Sequence, residues 1–549
     1  MGTVIFWILI ALLVLALIAS SAFHERRKLL SRREHIRETF GRKDDGLHDT
    51  DAFDAAPMLF EHKKSIRPED FYLDGITAND LSLKDIYSRM NRCLTSPGSD
   101  YLYCRFLTMP HDKSEGEAIY ESVESYLADK DKAVRLLHIL DGYGHRSGTD
   151  EFRLISELTD SGQKSIIYDI LPFAALVLAI VMIPAAPLPG SALALILLGV
   201  CVYTYFSGRR HMEGSLKGLA LSLRLIGCAE ELAHEGCSDL SAYSGLFRLK
   251  KGNFLIPYKD RTVSDPLSLI FDYVRMITHI DLIVFKLRLS SVVKHYEDIQ
   301  ALYEDVGRLD AVLAIASYLN ERPFCRAALS DDNTLSATGL YHPLVSDPVC
   351  NDIETAGGVL VTGSNASGKS TFLKAVGLNT LFARSLGIAF ASYFIAGAEK
   401  LYTSMAINDD IIGRESYYVV EARSIKRICD AASDGKILCI IDEVLRGTNT
   451  TERIAASSKI LESLCVPNVL CFAATHDLEL TYLLKDRMDL YCFTEEIVGD
   501  NVTFPFTIKK GISDRTNAIR LLSMMGFDRK IVDGADELVG RYNSTGKWS

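Results

Sequence analysis

The stretch VLVTGSNASGKST, Val359–Thr371, places Gly363, Gly368, Lys369 and Ser370 at the spacing G-x-x-x-x-G-K-[ST], after a short apolar run and before a helical pattern. At a strand-to-helix junction such a loop turns backbone N–H groups onto phosphate oxygens. Its lysine reaches the β- and γ-phosphates, and its hydroxyl holds Mg²⁺. The candidate nucleotide-binding residues are therefore Gly363, Ser364, Asn365, Ala366, Ser367, Gly368, Lys369, Ser370 and Thr371. Downstream, ILCIIDEVLRGTNT is an apolar run that ends in Asp442 and Glu443. Adjacent carboxylates there suit two jobs: Asp442 joins Ser370 as a metal ligand, and Glu443 is the catalytic base that polarises water. A third run, CFAATHDLEL, delivers His476 to the same sheet edge as the second catalytic residue, a γ-phosphate sensor. One such motif arises readily by chance. Three, each on its own strand, predict that the chain binds and hydrolyses ATP with Mg²⁺.

Short Val/Ile/Leu strands alternating with helices from Leu340 onward predict an α/β layer to carry these motifs. Before it the pattern is helical. Leu81–Pro110 reads as helix broken by an SPGS turn at Ser96–Ser99, Glu117–Leu140 continues it, and the pattern resumes over Leu216–Glu235 and Leu267–Leu319. Ile280, Leu282, Phe285, Leu287 and Leu289 suggest long amphipathic helices. Asp44–Asp70 reads as a linker. At 549 residues the chain has room for three or four domains. Twelve cysteines scattered singly, with no C-x-x-C pair, fit a reduced compartment and exclude a disulfide framework or a zinc site.

Three apolar stretches are candidates for membrane spans. Val4–Ala22 carries no charge, long enough at about 1.5 Å per residue to cross roughly 30 Å of hydrocarbon. Ile166–Ile183 and Leu188–Phe206 form a hairpin around Pro184, Pro187 and Pro189; the competing reading is a pair of helices buried in a soluble core. Met1–Trp7 lacks the basic residues of a signal peptide, whereas HERRKLLSRREHIRETFGRK, just after the first span, holds eight Lys/Arg against three Glu. The positive-inside rule then predicts a multi-pass protein of the cytoplasmic membrane, with the N-terminus outside and the ATPase in the cytoplasm. Arg209, Arg210 and Lys217 follow the hairpin in the same sense.

Motif by motif, the C-terminal block resembles the MutS family of DNA mismatch-repair ATPases. Tyr341–Val345 (YHPLV) and Asn351-Asp352 are similar to that family's H-P-x-[VL] and N-D lead-in. TGSNASGKST is similar to T-G-P-N-x-x-G-K-S-T, with Ser364 in place of proline. INDDIIGRESYYVVEA, carrying Asp410, Ser416 and Glu421, is similar to the family's signature segment, with Gly413 one place early. DEVLRGTNT is similar to D-E-[IL]-G-R-G-T-S-T, with Leu445 replacing the first glycine, and ATHDLEL corresponds to A-T-H-x-x-E-L. The tail from Phe506 resembles the family's C-terminal element, and Leu81–Pro110 and Asp305–Leu319 resemble its helical levers. No segment resembles the family's mismatch-reading domain or its nuclease module.

The resemblance implies an ABC-type P-loop ATPase whose signature serine, Ser416 here, faces the nucleotide of a second subunit, so that a homodimer carries composite ATP sites. A helix N-cap is the plainer role for Ser416. The predicted organisation is an N-terminal transmembrane helix (1–23), a basic segment and linker (24–75), a helical MutS-core-like region (76–165), a transmembrane hairpin (166–206), a second helical lever-like region (207–330) and the ATPase (331–549). DNA is the partner that the resemblance implies. Charge weighs against it: the chain is net −11, and residues 331–549 hold 22 Lys/Arg against 28 Asp/Glu. Two functions stay open, a membrane-tethered ATPase clamp on DNA and an ATP-driven switch acting on a protein partner. The absence of L-S-G-G-Q argues against the ATPase half of a transporter.

Overall fold

The computed structural model describes residues 27, 31–42, 53–145, 148–159, 165–250, 266–364, 367–405, 417–446, 448–498, 501–512, 519, 522–523 and 525–546. It divides into two compact units, each assembled from separate stretches of chain. The helical unit takes Met1–Lys63, Met90–Cys104 and Val123–Glu321. The nucleotide unit takes Lys64–Arg89, Arg105–Ser122 and Arg322–Ser549. Two short N-terminal stretches thus belong with the C-terminal α/β layer.

The main helices of the helical unit are α1 (Lys130–Tyr143), α2 (Glu151–Ser156), α3 (Ile167–Met182), α4 (Pro187–His234), α5 (Pro266–Thr278), α6 (Ile280–Lys294) and α7 (Tyr296–Leu319). Aspartates start two of them: Asp129 and Asp150 accept the third backbone N–H of α1 and α2, satisfying donors that a helix start leaves orphaned. From Val306 onward α7 is almost wholly buried, and so is Asp310. Its carboxylate accepts the Thr95 N–H at 2.8 Å and the Thr95 hydroxyl at 2.6 Å.

Several sequence expectations are corrected here. Ser96–Ser99 is no turn; it opens the helix Ser96–Phe106, with Thr95 accepting the Gly98 N–H. Pro97 fits that first turn, where its missing N–H costs nothing. Leu216–Glu235 is no separate helix but the second half of α4, which runs 48 residues. Leu267–Leu319 is cut into α5, α6 and α7 at His279 and His295, His279 adopting the left-handed conformation.

Among the described residues only one helical stretch, Pro187–Arg210 of α4, is long and apolar enough to cross a membrane. The expectation of three spans is reduced accordingly. The first lies outside the described residues. The second is α3, whose 16 residues reach about 24 Å, short of a bilayer core, with Asp169 in the first turn and Pro172 inside. The soluble-core alternative fares worse, since 17% of the apolar window of α4 is buried. Leu188, Leu195, Ile196, Tyr203 and Phe206 stand exposed, as do Ile167, Leu171, Leu178 and Val181 on α3.

The nucleotide unit is built on a six-stranded sheet: β1 (Gly358–Thr362), β2 (Lys400–Ser404), β3 (Ile437–Asp442), β4 (Val469–Thr475), β5 (Met488–Phe493) and β6 (Ile508–Lys510), in the order β2-β3-β4-β1-β5-β6. All neighbours are parallel except β6, an antiparallel edge. Every residue of β1, β3 and β4 is buried, as expected of strands covered on both faces. The unit's C-terminal helices include α8 (Lys369–Leu386), α9 (Tyr417–Ala431), α10 (Thr450–Ser463), α11 (Leu478–Leu484) and α12 (Arg529–Thr545). The N-terminal stretch locks onto β2: Asp80 accepts the Thr403 hydroxyl at 2.7 Å and the Met405 N–H at 3.0 Å. Burial raises the Asp80 pKa against the pull of those bonds. A second sheet pairs Leu335–Leu340 with Asn351–Thr355 and Tyr393–Ala396.

Candidate active site

Three adjacent parallel strands deliver the chemistry to one edge. β1 ends at Thr362 and runs into the glycine loop, β3 ends at Asp442 with Glu443 next, and β4 ends at Thr475 with His476 next. The loop needs its glycines. Gly363 has φ +143°, and a Cβ there would lie 2.8 Å from the Phe493 carbonyl oxygen. Gly368 caps α8 at φ +98°, with Phe506 3.1 Å from where a Cβ would stand.

Lys369 opens α8 and is buried. Its Nζ donates to the carbonyls of Gly363 (2.6 Å) and Ser364 (2.7 Å) and lies 3.4 Å from Nε2 of His476. Burial pulls its pKa down to about 8, opposed by the carboxylates of Asp442 and Glu443. The Ser370 hydroxyl donates to Oδ2 of Asp442 at 2.5 Å, so the two residues expected to share a metal already touch. Glu443 accepts from His476 at 2.7 Å and lies 2.8 Å from Nε of Arg446. The hydrogen bond from His476 is the main cause holding the Glu443 pKa below its usual value, with Arg446 adding to it. Ser367 is buried, its hydroxyl donating to the Ser364 carbonyl at 2.7 Å; Thr371 is exposed and lines the adjoining cavity. Asn365, Ala366 and Ser416 lie outside the described residues.

That cavity, about 380 Å³, is lined by Lys369, Ser370 and Thr371 together with Tyr341, His342, Phe493 and Phe506. Nδ1 of His342 accepts the Leu344 N–H at 3.3 Å, and Nε2 is buried without a partner. Burial lowers the His342 pKa to about 4, so the ring is neutral. The Ser364 hydroxyl is likewise buried and unpartnered. A Cβ-free cradle, orphaned buried donors, a buried ammonium and a hydroxyl–carboxylate pair fit a magnesium nucleotide.

Several contributors carried no assigned role in the sequence reading. Phe506 has φ +52° and is held by Asn351, whose amide donates to the Phe506 carbonyl at 3.1 Å and accepts the Ile508 N–H at 2.7 Å. The N-D lead-in was the available signal. Arg446 spans the carboxylate loop, donating to the Asp442 carbonyl at 3.0 Å, while its own N–H reaches Glu421 of α9 at 3.0 Å. Arg453 of α10 grips Asp477, the residue after His476, through two bonds of 2.9 and 2.6 Å.

A phosphate loop between a central parallel strand and its helix, with carboxylates and a histidine on neighbouring strands, defines a P-loop ATPase-like domain. Residues 359–542 match MutS domain V. Over that domain the chain is similar to the MutS family. It is 30% identical over 270 residues to the DNA mismatch repair protein MutS of Thermotoga maritima, an alignment covering 47% of this chain and 34% of that one. The MutS of Natronomonas pharaonis is 30% identical over 265 residues, covering 45% and 30%, and that of Fusobacterium nucleatum 27% over 276, covering 47% and 30%. The chain thus spans about a third of the length of the curated relatives it matches.

Proposed function

We propose that this chain is a membrane-tethered MutS-family ATPase that works as a dimeric conformational switch engaging DNA. The observation that carries the ATPase reading is the convergence of Lys369, Ser370, Asp442, Glu443 and His476 at one sheet edge. In this reading the Lys369 ammonium leaves the loop carbonyls for the β- and γ-phosphates of ATP, where its charge is worth most in a water-poor site. Ser370 and Asp442, now bonded to each other, would hold Mg²⁺, which would supply neutralisation of phosphate charge. Glu443 orients and deprotonates the attacking water, His476 reports the γ-phosphate, and Ser416 of a second copy closes the site.

The tether reading draws support from the exposed apolar surface of α3 and α4 and from Arg209 and Arg210 at one end of the span. It puts the nucleotide unit on the cytoplasmic side. The DNA reading draws support from the names of the relatives, each a DNA mismatch repair protein. With a net charge of −11, binding must come from a local basic patch and weaken steeply with salt. The test is ATP hydrolysis and salt-titrated DNA binding by the detergent-solubilised chain. Turnover with salt-sensitive DNA affinity is expected. Turnover without DNA affinity at any salt leaves a switch acting on a protein, and absence of ATP binding removes the whole reading.

A further inference from the structure

The α5–α6 turn lies against the apolar half of α4. His279, completely buried and left-handed, donates from Nε2 to the Cys201 carbonyl at 2.9 Å. Cys201 stands eight residues before Arg209, about 12 Å up the helix. Asp272, seven residues before His279 on α5, is close enough to Arg209 to act on its charge. Lys286, seven residues after His279 on α6, pairs with Asp169 in the first turn of α3 and donates to the Ser165 carbonyl at 3.2 Å. Both arms therefore start at the level where the charges flanking α3 and α4 sit. Both run about 10 Å toward the apolar zone and meet at His279.

Apart from Nδ1 of His279, which is buried without a partner, the polar groups named on this path are paired, as a low-dielectric setting demands. Asp281 is buried, accepts the Tyr205 hydroxyl at 3.0 Å and lies 3.9 Å from Arg209; Tyr205 in turn accepts from Arg209 at 2.5 Å. The side chains of Lys286 and Asp169 are 8% and 9% exposed. Val274 and Leu287, by contrast, face outward on the two arms.

We infer that α5 and α6 form a re-entrant hairpin that dips into the lipid of one leaflet beside α4 and returns to the same side. The inference rests on the tether reading. The occupant is lipid because the exposed apolar residues of α3 and α4 clothe the helices over their length, and because the charges deeper on the two arms, Arg275 and Asp281, are buried and paired, Arg275 with Asp272 at 3.0 Å and Asp281 with Tyr205 at 3.0 Å. Irregular backbone at membrane depth is tolerated where it is buried in protein, as at His279.

The test uses the full chain in vesicles with Trp7 and Trp548 replaced by phenylalanine, leaving no native tryptophan. Single tryptophans are placed by Ile196→Trp at mid-span on α4, and by Val274→Trp and Ile283→Trp on the two arms. Emission is compared in lipids brominated near the headgroup end of the acyl chain and near the bilayer centre. Ile196→Trp should be quenched most by the central bromines, and Val274→Trp and Ile283→Trp most by the shallow ones. Arms unquenched by either lipid, with Ile196→Trp quenched, overturn the re-entrant hairpin alone. Arms quenched most by the central bromines overturn it in favour of full spans. An unquenched Ile196→Trp sinks the tether itself. Val274 is exposed, so Val274→Trp needs no repacking and remains informative should Ile283→Trp fail to fold.

Discussion

The carboxylate of Glu443 accepts a 2.7 Å hydrogen bond from Nε2 of His476, although the two residues lie on loops after different strands. Their backbones are tied as well, since the Glu443 N–H donates to the Ala474 carbonyl at 3.0 Å and Glu443 sits at φ +60°. The bond holds the acid ionised, which a base toward water requires. Glu443→Gln is isosteric and leaves the phosphate loop untouched. It should retain ATP binding and lower turnover by about 10²–10⁴, the usual contribution of a general base. Equilibrium nucleotide binding and steady-state phosphate release measure the two effects separately, and undiminished release removes Glu443 from this role.

Lys369 gives a proton-linked signature. Its pKa of about 8 in the free site lies below the ordinary lysine value because burial disfavours the charged form. Phosphate favours the ammonium and raises that pKa, so nucleotide binding near pH 8–9 should take up a proton. Calorimetry in buffers of different ionisation enthalpy reads the uptake directly. Near pH 6 the lysine is already charged, and its contribution should vanish. Lys369→Ala should weaken binding and abolish the lysine's share of the uptake.

How much of this was legible beforehand follows from what each residue depends on. Lys369, Asp442 and Glu443 sit where a strand-end motif puts them, because a buried β run fixes its own ending. Phe506 could not be read as part of the site: its place depends on Asn351, 155 positions earlier, bonding the backbone on either side of it. The apolar spans were visible by composition, and α3 begins and ends within one residue of the apolar stretch Ile166–Ile183, but the pairing of Asp169 with Lys286 across 117 positions was not. The break at His279 carries no glycine or proline to announce it and follows from tertiary packing.

Phe506 should contribute to affinity through contact with the nucleotide's base. Its ring sits against Gly368 and lines the cavity beside Tyr341, His342 and Phe493. Removing an aromatic partner costs about 0.5–1.5 kcal/mol beyond lost area, so Phe506→Ala should weaken ATP binding by roughly tenfold. Phe506→Tyr should preserve it. Asn351→Ala should mimic Phe506→Ala by releasing the same segment, with turnover at saturating ATP little changed. Equal affinity in all three variants would place the base elsewhere.

Leu445 stands where the family has glycine, and its φ of +59° is a conformation that favours glycine. Two effects compete in Leu445→Gly. Relief of left-handed strain is worth about 1–2 kcal/mol. The side chain, however, is buried in the core cluster with Ile441 and Val444, and emptying such a site costs about 2–5 kcal/mol. Packing wins, so Leu445→Gly should destabilise the chain despite matching the family pattern, by about 1–3 kcal/mol in denaturant unfolding of the detergent-solubilised protein. A stabilised variant would mean that strain dominates.

Activity should require two chains. Ser416 lies in the segment similar to the family's signature, and such a serine serves a γ-phosphate that its own subunit does not hold. Ser416→Ala and Lys369→Ala, each inactive alone, should partly rescue one another when mixed, because one mixed-dimer site pairs an intact phosphate loop with an intact serine. Rescue needs subunits to exchange and one site to turn over without the other, so dilution is the stricter measurement. Mass action dissolves dimers below their dissociation constant, and hydrolysis per chain should fall with them. A rate per chain that stays constant well below that constant would show that each subunit carries a complete site, and the serine would then be left with a role such as capping α9.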